Sequence, residues 1–203
     1  MPNNPYKIVE MFEQAVADYA RSKYAVAVES CTMALLLCLK YKDAAKGLEI
    51  ECPKYTYPGV TNSILHAGGK IKFTDEKWEG VYQLRPLNII DGALRFKRGM
   101  YIPSMLHCLS FHVKKRLPIG RGSCILTDDK EAYEWLKLAR FDGRRPVPLQ
   151  EDSITVVGYN CYLQPEQAAR GLQLMQAIGD NDLLDLPFSS QKYSDLSIQP
   201  AYQ

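Results

Sequence analysis

Behind Pro5, apolar residues recur at three- and four-residue spacing (Ile8, Phe12, Ala15, Val16, Tyr19), which predicts an amphipathic helix of about four turns. The β-branched run Tyr24-Ala-Val-Ala-Val28 predicts a short buried strand. A polar turn, Glu29-Ser30-Cys31-Thr32, separates it from a strongly apolar helix that runs from Met33 towards Ala45. Leu48 to Cys52 and Lys70 to Thr74 read as further strands, with a helix over Thr61 to Ala67 between them. This βαβαβ order calls for a parallel sheet with right-handed crossovers.

The pattern then weakens. Asp75 to Pro86 is polar and aromatic, and reads as loop with at most a short extended piece. Leu87 to Ile90, Cys108 to Phe111 and Cys124 to Thr127 are short apolar runs that predict three more strands. Asp129 suits the cap of a helix carrying Tyr133, Trp135, Leu136 and Leu138, and Pro165 the start of another carrying Ala168, Leu172 and Met175. Residues 181–203 show no sustained period and are expected to form an irregular tail against a partner subunit. The predicted architecture is α/β: a three-layer sandwich, one domain over residues 1–203, with a mainly parallel sheet of about six strands and helices on both faces.

Composition narrows the function. The 203 residues are 46% hydrophobic, enough for one core of ordinary size. A formal net charge of +2 supplies no sequence-wide field to attract nucleic acid or an anionic membrane, so neither is expected as a partner. The longest apolar stretch, Tyr24 to Leu39, is broken by Glu29, Ser30 and Thr32 and falls short of a membrane span. The N-terminus has no basic region followed by an apolar run, and a cytosolic protein is expected. Six widely spaced cysteines without a C-x-x-C pair argue against a zinc site or a disulfide framework, and three separate histidines read as structural.

Three segments carry candidate chemistry, and each has a plainer reading. Ser30-Cys31-Thr32 lies at a strand-to-helix turn where hydroxyls and free N–H groups would receive a phosphate; simple helix capping explains the same residues. Asp91 follows Leu87-Asn-Ile-Ile90 at a strand's C-terminal end, where open α/β sheets bind ligands and a carboxylate could keep a pyridine nitrogen protonated. It could equally start a turn before Gly92. Ser110-Phe-His-Val-Lys-Lys115-Arg leaves another strand end, where a desolvated lysine beside cations would have a lowered pKa and form a Schiff base. The same basic run fits a solvated surface or a non-covalent anion site. If the strand continues past Phe111, then Phe111, Val113 and Lys115 share one side, with Lys114 on the other.

Taken in order, these segments resemble the DegT-type family of sugar aminotransferases that use pyridoxal 5′-phosphate (PLP), within the fold-type I group. "AVAVESCTMALLLCL", "CPKYTYPGV", "NIIDGA", "LSFHVKKRLPIGRG" and "GYNCYLQPEQAARGL" are similar to its phosphate loop, ring-stacking aromatic, ring-nitrogen aspartate, lysine and subunit-bridging segments. The resemblance implies that Lys115 holds PLP, Asp91 pairs with the pyridine nitrogen and Tyr57 stacks on the ring. Ser30, Cys31, Thr32 and Ser110 would complete the cofactor site, and Asn160 would reach the phosphate bound by the neighbouring subunit of a homodimer.

Departures accompany the match. Cys31 replaces the loop glycine, Leu94 stands where a glutamine is usual, and Arg121 stands where a glutamate is common. The stretch before Asp91 is several tens of residues shorter than in the family, and the C-terminal small domain is largely absent. The function implied by the resemblance is transfer of an amino group from an amino acid donor to a keto sugar, with a nucleotide-linked sugar expected. The alternative is a non-catalytic descendant that binds PLP or a phosphosugar as a sensor or assembly partner; a PLP enzyme of another reaction type is a third.

Overall fold

A computed structural model describes residues 4–43, 47–178, 185–186 and 192–203. The elements are helix α1 (Lys7–Ala20), strand β1 (Tyr24–Val28), α2 (Cys31–Tyr41), β2 (Glu49–Pro53), α3 (Pro58–Ala67), β3 (Lys70–Thr74), β4 (Tyr82–Gln83), β5 (Ile89–Asp91), β6 (Leu106–Cys108), β7 (Ser123–Thr127), α4 (Lys130–Ala139) and α5 (Pro165–Ile178).

The α/β class and the three layers hold, and β1 shows why. Ala25 and Ala27 point into one core with Phe12, Val16 and Leu126, beneath α1 and α5. Val26 and Val28 point into the other with Leu37, Leu39 and Ile125, beneath α2, α3 and α4. The period of two in a strand buried on both faces thus feeds two cores at once.

The sheet is mixed, where a mainly parallel one is predicted. Five strands are ordered β1-β7-β6-β5-β4, and β2-β3 pair separately. The β2–β3 and β5–β6 pairs are parallel, whereas β7 runs antiparallel to β1 and β6, and β4 antiparallel to β5. β7 returns directly from β6 through the segment Leu109–Gly122 with no crossover helix, and a direct return can only lie antiparallel. Of the expected βαβαβ run, β2-α3-β3 forms the parallel unit, and β1 lies at the far edge against β7.

Several boundaries move for local reasons. α3 starts at Pro58 rather than Thr61, because proline suits the first helical position. Leu87 belongs to a turn, its N–H bonded to the Leu84 carbonyl, so β5 starts at Ile89. β6 ends at Cys108, two residues after it starts the ladder at Leu106, while Leu109, Phe111 and Val113 bond onward to Cys124, Gly122 and Gly120. The segment read as loop contains β4, with Tyr82 opposite Asp91. The far end of α2, predicted towards Ala45, and the first part of the tail, 181–184, lie outside the described residues.

The outer edge of β1 is closed by buried charge. Glu13 of α1 accepts from the Ala27 N–H at 2.8 Å, and Arg140 donates to Glu13 and to the Ala27 carbonyl. Lys137 adds a 2.9 Å ion pair to Glu13. Burial alone would raise the Glu13 pKa, but Arg140 and Lys137 outweigh it and hold the carboxyl below its ordinary value.

Candidate active site

The C-terminal ends of β1, β5 and β6 bring the predicted residues to one end of the sheet. β1 and β6 both run antiparallel to β7, so they share a direction, and β5 follows β6. Their C-terminal ends therefore open on the same side, where a ligand fits in α/β sheets.

Ser30 caps α2: its Oγ accepts from the Met33 N–H at 3.3 Å. The plainer capping reading is thus correct for its hydroxyl. The N–H groups of Cys31 and Thr32 remain at the open first turn of the helix, where an anion is favoured. Thr32 lies against the first turn of α3. A Cβ on Gly59 would sit 2.5 Å from the Thr32 Oγ1 and 2.9 Å from the Tyr57 ring, so only glycine allows this approach. Tyr57 precedes α3, is 62% exposed, and has no ring partner among the described residues.

Asp91 ends β5 and is 5% exposed. Its Oδ2 accepts from the Tyr82 hydroxyl at 2.7 Å, and its Oδ1 accepts from the Ala93 N–H at 2.9 Å. The Cys31 thiol lies 4.0 Å from Oδ1. Burial raises the Asp91 pKa, opposed by the Tyr82 hydroxyl, the Ala93 N–H and the charge of Lys115. The turn before Gly92 is real, but the carboxylate points inwards and meets two donors. The Cys31 thiol, in turn, is pushed well up by burial and then by Asp91.

Strand alternation does not extend from Phe111 to Lys115. The chain turns at His112, whose carbonyl accepts from the Lys115 N–H at 2.8 Å, and Val113 is 58% exposed while Phe111 is fully buried. The turn nevertheless separates the two lysines. Lys114 is exposed, and Lys115 is half-buried near Asp91 and Cys31, which act on its charge. Burial lowers the Lys115 pKa, with Asp91 and Cys31 opposing and Lys114 adding to the fall. Among the described residues its Nζ has no hydrogen-bond or ion-pair partner. The basic run does not converge as an anion site: Arg121 pairs with Glu29 at 3.1 Å, and Arg116 donates to the Asp185 carbonyl at 2.6 Å.

Ser110 is half-buried at the end of the β6 extension. Asn160 is exposed and gives its amide to Asp142 Oδ2 at 2.8 Å, while the neighbouring Cys161 carbonyl accepts from the Glu29 N–H at 2.8 Å. Sequence reasoning missed Tyr82 and Thr56. The Tyr82 hydroxyl also meets the Thr56 Oγ1 at 2.6 Å, so Asp91, Tyr82 and Thr56 form one buried chain of hydrogen bonds. Nothing in the aperiodic segment around Tyr82 signals that it pairs with β5. Leu94 is buried in the core and presents no polar atom.

These residues fit a flat ring that carries a ring nitrogen and a phosphate. A buried carboxylate stands at a strand end, and among the described residues a tyrosine face is uncovered, a helix N-terminus is open and an amine is without a partner. The chain belongs to the DegT/DnrJ/EryC1/StrS aminotransferase family, whose profile matches residues 3–89 and 103–181. Asp91 falls between the two matched segments. The chain is 25% identical to the spore coat polysaccharide biosynthesis protein SpsC of Bacillus subtilis, over 85% of this chain and 57% of that one. It is 26% identical to GDP-perosamine synthase of Caulobacter vibrioides, over 86% and 57%. A solved PLP-dependent aminotransferase of Bacillus cereus, described as putative, superposes with a TM-score of 0.74 at 20% identity, covering 87% of this chain and 60% of that one. Helicobacter pylori PseC, an aminotransferase of pseudoaminic acid biosynthesis, gives 0.68 at 20%, covering 84% and 57%. The chain thus spans somewhat over half the length of these relatives. Among the described residues no helix is long and apolar enough to cross a membrane.

Proposed function

We propose that this chain binds PLP through Lys115 and transfers an amino group from an amino acid donor to a nucleotide-linked keto sugar. One observation carries the reading: Lys115 is half-buried, lacks a partner among the described residues, and lies near the buried Asp91 at the same sheet end. When bound, PLP draws electrons from the carbon that bears the amino group and makes its proton acidic. The neutral Lys115 Nζ is the base that takes that proton and returns it, and its burial favours the neutral form. Asp91 holds a proton on the ring nitrogen by charge, with Tyr82 fixing the carboxylate. Tyr57 covers a ring face, and the phosphate is received by Ser30, Cys31, Thr32 and Ser110, with Asn160 of a second copy completing a homodimeric site.

The second reading is a PLP- or phosphosugar-binding descendant without turnover. Borohydride reduction and peptide mapping test the first: the phosphopyridoxyl mass belongs on Lys115, persists in Lys114→Ala and disappears in Lys115→Ala. A label on Lys114, or none on folded protein saturated with PLP, rejects it. Adding an amino acid donor then separates enzyme from binder, since a binder leaves the absorption spectrum unchanged.

A further inference from the structure

The C-terminal segment returns across the connection between β2 and α3, which carries Tyr57. Asp195 forms a bridge with Tyr55 and an ion pair with Lys54 at 3.4 Å, and the Leu196 N–H donates to the Lys54 carbonyl at 2.9 Å. Further on, the Tyr202 hydroxyl donates to Asn62 of α3 at 2.8 Å. Two residues before this pin, the Tyr193 ring lies 6.0 Å from that of Trp78, tilted by 33°. Trp78 in turn lies 4.6 Å from Tyr82 and donates to the Tyr55 carbonyl at 3.0 Å. The three rings therefore run from the C-terminal segment to the residue that holds Asp91.

We propose that Tyr193 is a built-in competitor for the coenzyme: in the free chain its phenol stands in the mouth of the Asp91 site and must leave before PLP can settle there. This rests on the functional reading above. Burial raises the Tyr193 pKa, and Asp91, Cys31 and Tyr57 raise it further. All three are residues assigned to the coenzyme, and the ring path from Tyr193 through Trp78 to Tyr82 ends at the same Asp91 carboxylate. A groove of about 810 Å³ lies elsewhere, between α1 and α4, and does not include Asp91.

A site that is open only part of the time binds with an apparent Kd raised by the inverse of its open fraction, so a site open one time in ten loses about tenfold. Wild type, Tyr193→Ala and Tyr193→Phe are titrated with PLP, and Cys31 alkylation by iodoacetamide is followed by peptide mass in coenzyme-free protein. Cys31 suits this because the other five cysteines are buried. The Ala variant should bind PLP at least about tenfold more tightly, and its Cys31 should react faster; the Phe variant, which keeps the ring, should stay near wild type in alkylation. Lys54→Gln loosens the pin without touching Tyr193 and should move both readouts in the same direction, by less. Unchanged or weaker binding in the Ala and Lys54 variants, with wild type still labelled at Lys115, overturns the competitor alone. If no variant, wild type included, binds PLP, the functional reading fails and the competitor with it; the alkylation rate then reports only whether Tyr193 covers Cys31.

Discussion

The Tyr82 hydroxyl sits 2.7 Å from Asp91 Oδ2, joining a two-residue strand to the carboxylate at the end of β5. The hydroxyl lowers the proton affinity of a carboxyl that burial has raised. Tyr82→Phe removes that support, so Asp91 gains its proton at higher pH than in wild type. PLP binding needs the carboxylate on this reading. The acid limb of the binding curve should therefore move to higher pH in Tyr82→Phe, with little change at pH 9. An acid limb that stays in place separates Tyr82 from Asp91 in function.

Asp91→Asn keeps the shape of the side chain and removes its charge. A hydrogen bond to a charged group is worth about 1.5–3 kcal/mol, so the donor half-reaction should slow by at least roughly tenfold. The protein should still fold, because a buried carboxylate with a raised pKa costs stability near neutrality and an amide does not carry that cost. Stopped-flow spectra with glutamate give the rate. Unchanged kinetics remove Asp91 from this role.

The elements with strong periodicity were legible in the sequence: β1 and β3 match their predicted limits, and Asp129 caps α4 through two backbone N–H groups. Pairing was not. β7 carries the same apolar signature as a parallel strand, and its direction follows from the return after β6, which periodicity does not encode. The position of Asp91 was legible because it follows an apolar run at a strand end. Tyr82, Thr56, Trp78 and Tyr193 were not, since their roles come from contacts between segments far apart in the chain. Lys114 is exposed and Lys115 half-buried, and the turn at His112, not strand alternation, separates them.

Asn160 is exposed, and its amide is bonded to Asp142. A homodimer with shared sites gives it work on the other copy. Mixing Lys115→Ala with Asn160→Ala chains should then restore activity, because half of the sites in a mixed dimer contain both residues. Subunit exchange shown by mass, with no recovery of activity, contradicts sharing.

His107 lies at the centre of β6, fully buried, and neither ring nitrogen has a hydrogen-bond partner among the described residues. Its ring packs on Gly92, where a Cβ would come within 2.4 Å of Nε2. Burial, with a smaller contribution from the Arg95 charge, brings its pKa down from 6.5 to about 4. The folded value is the lower one, so above pH 6.5 both folded and unfolded chains carry a neutral ring and stability is intact. As pH falls from 6.5 towards 4 the unfolded chain takes up the proton and the folded chain resists it, and stability drops. At 1.36 kcal/mol per pH unit, the loss approaches about 3 kcal/mol once pH is below the folded value. Urea unfolding of wild type and His107→Leu at pH 7 and pH 4.5 isolates this share, since every other titrating group is common to both. The Leu variant should lose less stability than wild type on acidification, by about 2–3 kcal/mol. Equal losses in the two proteins would mean that His107 takes up its proton in the folded chain as readily as in the unfolded one.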